Sequence, residues 1–288
     1  MKETVSITFW GVRGTLPVPG RNTVRYGGNT SCVSIKFPDD ILFIFDAGTG
    51  IKELSNRIIS EKRTITNATI FISHPHWDHI NGLPFFAPLY MNENRFEICG
   101  PSNGGMSIRQ LISGQMDGIY FPVNIKRFGT AVSFRDLGEE AFHIDTIKIR
   151  TILLNHPGRC LGYRMDHGGK SICYVTDNEI YPEYSRDYNE VYLNKLANFV
   201  SDTDVLITDC TYTAEEYMEK IGWGHSSVNQ VAELADRAGV KNLYLFHHDP
   251  DQTDDDIDNK LKMAQAVLEQ RGSSTICIAP REKEVFHI

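Results

Sequence analysis

The sequence predicts an α/β protein of two similar strand-and-helix halves, layered as a single domain over residues 1–288. Three observations carry that expectation. Short apolar runs bounded by Gly, Pro, Asn or Asp recur along the whole chain. Amphipathic stretches with helical spacing interrupt them. The order strands, helix, strands is then followed by strands, helices, strands, as expected of a repeated layered unit.

In chain order, residues 5–10, 32–37, 41–45 and 69–73 read as strands, with Ile51–Ser60 as a helix between the last two. A second strand group covers 95–99, 132–134, 147–154, 161–165 and 172–175. Strands and helices then alternate: strand 204–208, helix 227–238, strand 243–246, helix 254–271, strand 275–278. Ser227 stands three residues before Gln230, a capping-box spacing, and Val228, Val231, Ala232 and Ala235 follow at helical intervals. Thr253 can cap the last helix, Ile257, Leu261, Ala264 and Leu268 make its apolar stripe, and Gly272 ends it. The run Asp254, Asp255, Asp256 falls in that helix's first turn, where carboxylates complement the macrodipole, so it reads as a helix start rather than a metal site. Residues 84–138 are the least regular and are expected to include an insertion near the site mouth.

Composition narrows the function. The 29 Lys+Arg against 37 Asp+Glu leave a formal charge of −8 in 288 residues. That balance speaks against an extended nucleic-acid surface, because phosphate neutralisation by Lys and Arg supplies most non-specific affinity. A small anionic substrate is compatible with it. No apolar window approaches the length of a membrane span and the first residues carry no apolar signal core, so a soluble, cytoplasmic protein is expected, compatible with a homodimer. Cys32, Cys99, Cys160, Cys173, Cys210 and Cys277 are scattered with no C-x-x-C, the pattern of reduced thiols rather than of disulfides or a cysteine-bound zinc.

The sharpest feature is Ser73-His74-Pro75-His76-Trp77-Asp78-His79, directly after an apolar strand. Three imidazoles and a carboxylate where the chain leaves a sheet can converge on a metal, and that donor type suits Zn, Mn or Fe. His143, His167 and His287 lie outside any such pattern and read as surface or structural residues.

With that motif the sequence resembles the metallo-β-lactamase superfamily of binuclear metallohydrolases, over nearly the whole chain and in the superfamily's order of motifs. The resemblance implies a four-layer αβ/βα sandwich and two divalent ions, Zn first, with Mn or Fe as alternatives. It matches Asp46 in Phe-Asp-Ala-Gly to an aspartate supporting the ligands. It matches His156 in Asn-His-Pro to the third metal motif, Asp177 in Val-Thr-Asp to the bridging carboxylate, and His247 in Leu-Phe-His-His to the last histidine. By resemblance, His74, His76 and His156 hold one ion, Asp78, His79 and His247 the other, with Asp177 between them. His248 competes with His247; the ligand of the related motif follows directly on the strand, which favours His247 and leaves His248 beside the site.

Two ions sharing a water would make a hydroxide nucleophile and stabilise the attacking and leaving oxygens of an in-line displacement. Gly224-His225-Ser226-Ser227 resembles the G-H-S-T element of the ribonuclease Z and phosphodiesterase branch, which assigns His225 to the scissile phosphate and the leaving group; Asp78 joins it in the catalytic set. Phe9–Gly14 and Arg25–Ser31 also resemble this branch. Gly27 and Gly28 can turn backbone amides towards an anion, and Arg13 or Arg25 can pair with a phosphate. The implied reaction is hydrolysis of a small phosphodiester such as a cyclic nucleotide. The interval 178–206 lacks the Gly/Pro-rich arm with which ribonuclease Z enzymes hold tRNA, and Asp249-Pro250 departs from their pattern. Ribonuclease Z-like cleavage of tRNA, lactone or thioester hydrolysis, and a non-catalytic nucleotide sensor are the alternatives.

Overall fold

Phe43, Phe45 and Phe71 lie on one side of a sheet whose other side carries Ile44 and Ile70, and all five are fully buried. Runs that are apolar without alternation thus form strands covered on both faces. The computed structural model describes residues 4–129 and 131–288. They divide into two compact units, one of residues up to 137 together with 281–288, the other of residues 138–280.

The first unit contains β1 (Ser6–Gly11), β2 (Cys32–Lys36), β3 (Leu42–Phe45), α1 (Ile51–Ser60), β4 (Ala68–Phe71), α2 (Trp77–Ile80), β5 (Phe96–Pro101), α3 (Ile108–Gly114), β6 (Val132–Leu137) and the distant β14 (Val285–His287). The second contains β7 (Ala141–Ile144), β8 (Ile147–Leu154), β9 (Cys160–His167), β10 (Lys170–Val175), α4 (Glu190–Phe199), β11 (Val205–Asp209), α5 (Ala214–Met218), α6 (Val228–Arg237), β12 (Asn242–Phe246), α7 (Asp254–Gln270) and β13 (Ile276–Ile278).

Each unit has one seven-stranded sheet, ordered β14-β1-β2-β3-β4-β5-β6 and β13-β12-β11-β10-β9-β8-β7. Both sheets follow one plan. Four strands meander antiparallel, β14 to β3 in the first and β7 to β10 in the second, and three further strands then run parallel to the last of them. The α/β class and the two similar halves read from the sequence are thus present in the strand pairing itself.

Helices cover one face of each sheet. In the first unit Ile51, Leu54 and Ile58 of α1 and Ile108 and Ile112 of α3 pack with Ile44, Ile70 and Ile98. In the second, Val228, Val231, Ala232 and Ala235 of α6 and Ala264 and Leu268 of α7 pack with Cys173, Leu206 and Leu245. The expected caps form: Gln230 accepts from the Ser227 amide at 2.8 Å, and Asp256 accepts from that of Thr253 at 2.8 Å. The acidic run therefore opens α7, as its position in the sequence suggested. The apolar stripe of α7 differs from expectation, with Lys260 fully buried and Leu261 only partly. Residues 84–138 supply β5 and β6 to the sheet, with α3 between them. The short β7, β14, α2, α3 and α5 add to the elements expected from the sequence, and α3 and α5 each open on a capping box, Ser107 with Gln110 and Thr213 with Glu216. All six cysteines are buried thiols, and among the described residues no helix is long and apolar enough to cross a membrane.

Candidate metal centre

The polar residues singled out by the sequence sit where parallel strands end, the edge at which open α/β sheets bind ligands. Asp46 follows β3 and the His74 loop follows β4; in the second unit Asp177 lies just beyond β10 and His247 just beyond β12. Asp46, Asp177 and His247 have left-handed backbones, with φ of 57°, 43° and 58°. Asp and His are among the residues that adopt this region, at a strain of about 1–3 kcal/mol each. Abrupt turns off the sheet hold these side chains.

In the first unit Asp46 is the organising group. Its carboxylate, fully buried, accepts from the Ser73 amide at 2.7 Å, the Ser73 hydroxyl at 2.9 Å and His79 Nδ1 at 2.7 Å. The Ser73 hydroxyl spends its hydrogen on a carboxylate that can only accept, so its lone pair meets His74 Nδ1, 3.0 Å away, and that nitrogen is the protonated one. One turn of helix, α2, then places Asp78 and His79 side by side, with His79 Nε2 3.2 Å from Asp78 Oδ2. Asp78 Oδ2 also accepts from the Thr15 amide at 2.7 Å. His74 and His79 are buried, whereas His76 is exposed, its ring 4.4 Å from that of His74.

In the second unit Asp177, Asp209, His225 and His247 each offer a donor atom, all four within 4.8 Å of one another. His156 Nδ1 lies 2.9 Å from the Gly224 carbonyl, His225 Nδ1 2.7 Å from Asp209 Oδ2, and His247 Nδ1 3.2 Å from the Thr211 hydroxyl. Thr211 Oγ1 reaches only acceptors otherwise, Asp209 Oδ1 and the His247 carbonyl, so its hydrogen goes there and His247 Nδ1 donates to it. Each ring thus keeps its hydrogen on Nδ1 and presents the Nε2 lone pair. His156 Nε2 faces Asp177 Oδ2 at 3.7 Å, and His247 Nε2 faces Asp177 Oδ1 at 3.2 Å.

This donor set fits a divalent cation. In three pairs, His79–Asp78, His156–Asp177 and His247–Asp177, an imidazole lone pair opposes a carboxylate oxygen; two acceptors at that distance repel unless a cation lies against both. Metal-binding histidines regularly donate their second ring N–H to a carboxylate or carbonyl, as His79 does to Asp46 and His156 to Gly224. His247 belongs to the four-residue group and the fully buried His248 does not.

Four residues carry weight that the sequence did not disclose. Asp209, fully buried at the end of β11, orients His225. Ser73 and Thr211 set the hydrogens of His74 and His247. Glu179, fully buried, accepts from the Gly222 and Gly224 amides at 2.7 Å each and from the Tyr217 hydroxyl at 2.8 Å, and so shapes the turn that presents His225. Burial, then the contact with Glu179, pushes the Tyr217 phenol up, which keeps it a donor. All four lie at or a few residues beyond the C-terminal end of a strand, a position that is their only sequence signal.

Two of the four residues expected to contact phosphate, Arg13 and Gly27, are engaged within the chain. Arg13 is fully buried with Nε donated to the Gly27 carbonyl at 3.1 Å, and the Gly27 amide donates to the Thr23 carbonyl at 2.9 Å. Asn29, the next residue but one, donates its amide at 2.6 Å and its side chain at 2.9 Å to Glu282. A Cβ on Gly27 would fall 2.1 Å from the Glu282 carboxyl carbon. A carboxylate of the chain itself therefore lies against Gly27 and Asn29, and burial raises its pKa. Arg25 is exposed, its guanidinium 5.9 Å over the Tyr26 ring.

The beta-lactamase superfamily domain matches residues 42–248, a stretch that includes every candidate ligand. A curated ribonuclease Z from Thermoplasma volcanium is 27% identical, covering 88% of this chain and 90% of that protein. Among solved structures, the metallo-beta-lactamase fold protein YhfI from Bacillus subtilis superposes with a TM-score of 0.72 at 19% identity, covering 100% of both chains. Unliganded yeast PDE1 also superposes at 0.72, with 16% identity, over 99% of this chain and 100% of the other.

Proposed function

The chain belongs to the beta-lactamase superfamily and is a metal-dependent hydrolase, and from that premise we propose that it hydrolyses a small phosphodiester, with cyclic nucleotides as the leading class. Two divalent ions are assigned, Zn first and Mn or Fe as alternatives. His74, His76 and His156 are the proposed ligands of one, Asp78, His79 and His247 of the other, with Asp177 shared. When bound, the ions supply a nucleophile at neutral pH and positive charge for the phosphate oxygens.

The observation that carries the reading is the buried Asp209 carboxylate 2.7 Å from His225 Nδ1, in a loop beside Asp177 and His247. Asp209 holds the ring with Nδ1 protonated and stabilises its imidazolium form, so Nε2 is the atom that hands a proton to a leaving alkoxide. Glu179 fixes the turn before it. Ester, lactone and thioester cleavage do not need such an acid to the same degree.

Ribonuclease Z activity is the second reading, favoured by the identity with the Thermoplasma enzyme. Against it stand the charge of −8 and the segment after Asp177, where α4 packs Leu196 and Ala197 into the core instead of building an arm. A panel of 3′,5′-cyclic and 2′,3′-cyclic nucleotides, bis-p-nitrophenyl phosphate, pre-tRNA, lactones and thioesters, run on protein of measured metal content, decides. Turnover of the cyclic nucleotides supports the proposal. No phosphodiester turnover at two metals per chain overturns it, and nucleotide binding without turnover would make the protein a sensor.

A further inference from the structure

Lys260 is a cation in the apolar stripe of α7, fully buried among Ile257, Ala264 and Leu268. Burying an ammonium costs several kcal/mol unless it is paired and hydrogen-bonded. Its Nζ donates to the Cys210 carbonyl at 2.6 Å and to the Thr211 carbonyl at 3.1 Å, and Gln252 adds a second donor to the latter at 3.0 Å. Those two carbonyls belong to the turn that leaves β11 directly after Asp209. From that turn, the Asp209 carboxylate holds His225, and the Thr211 hydroxyl joins Asp209 to His247.

We propose that Lys260 is a positioning residue for the site. Its ammonium clamps the 210–211 peptide from below, and the clamp sets the directions in which Asp209 and Thr211 present His225 and His247. A methionine of the same length would fill the space and satisfy the packing of α7, so packing alone does not account for a lysine.

The inference rests on the site proposed above, and its test therefore includes a measurement that needs no substrate. Lys260→Met, Thr211→Val and the exposed control Lys262→Met are compared with wild type in zinc affinity, by competition with a chromophoric chelator, and in kcat and KM on the best phosphodiester found. Lys260→Met is expected to weaken zinc binding and lower kcat about 10–100-fold each, as losses of outer supports to metal histidines do, with KM within about twofold. Thr211→Val should reproduce the defect and Lys262→Met should show none. Wild-type zinc affinity and kcat in a folded Lys260→Met overturn the inference. If that variant does not fold, wild-type values in Thr211→Val overturn it, since the path to both histidines runs through Thr211. A wild type without phosphodiester turnover defeats the proposed function alone, and the zinc comparison still decides for Lys260.

Discussion

His225 and Asp209 form a close pair, Nδ1 to Oδ2 at 2.7 Å, in which the carboxylate is fully enclosed and receives further hydrogen bonds from the Asn178 and Thr211 amides and the Thr211 hydroxyl. An acceptor so thoroughly bound is fixed in direction, and the imidazole it holds is fixed with it. His225→Ala should lower kcat about 10²–10⁴-fold with metal content retained. Asp209→Asn should lower it about 10–100-fold by loosening the ring. Steady-state kinetics with metal analysis on the same preparations checks both; near-wild-type turnover in His225→Ala would remove the proton-donor role.

Asp46 satisfies three donors at once. Asp46→Ala leaves the Ser73 amide, the Ser73 hydroxyl and His79 Nδ1 without their acceptor, at about 1–3 kcal/mol for each that stays unpaired. Thermal unfolding of metal-free protein should therefore fall well below wild type. Zinc affinity should fall about 10–100-fold as His79 loses its orientation. A variant that keeps both would show that Ser73 and His79 are held by other contacts.

Gly224 has a φ of +89°, and a Cβ there would meet His156 Nδ1 at 2.4 Å and Pro157 Cδ at 2.5 Å. Gly224→Ala must move the imidazole or the loop that carries His225. A cost on the order of 1–3 kcal/mol is expected together with a fall in kcat, whereas Gly222→Ala, with open space around it, should suffer only the backbone strain of its φ of +90°. Denaturant melts and kinetics of the two variants side by side provide the comparison.

Asp204 ties β10 to its neighbours. Burial by itself would raise its pKa, but the Lys241 ammonium at 2.9 Å, the Ser171 amide and Lys170 outweigh it, and the net shift is downward. A folded-state pKa below the unfolded value, about 3.9, contributes stability that is present above that value and lost as pH falls through the folded one. The stability gap between wild type and Asp204→Asn should therefore be constant near neutrality and narrow below about pH 4. Urea melts across that range measure it, and a gap that persists into acid would contradict the assignment.

What the sequence disclosed and what it withheld divide along the range of the signal. The motif from His74 to His79 is legible because its donors fall within six consecutive positions and follow a strand. The cap of α7 is legible because Thr253 and Asp256 lie three apart. Asp209, Glu179 and Thr211 were missed because their partners, His225, Gly224 and His247, are 16, 45 and 36 residues away. The helical period assigned Leu261 to the core, which it borders partly buried, but gave no sign that Lys260 is fully buried beside it, donating to two carbonyls beyond β11. Gly27 and Gly28 have the composition of an anion loop, and only the fold reveals Glu282 lying against Gly27.

The first unit is not a continuous stretch of chain. Its sheet ends on β14, where Val285, Phe286 and His287 pair with Thr8, Ile7 and Ser6. During synthesis all of residues 138–280 must emerge before that edge can close, and until then β1 offers its open backbone groups to any other extended strand. Once in place, β14 is a poor template of only three residues, with Lys283 and Glu284 just before it, the kind of short, charged border that discourages strand addition. Crowded expression at elevated temperature is thus the condition in which this chain is most exposed to edge-to-edge association, and a nascent protein stalled before residue 281 is the species to look for in the insoluble fraction.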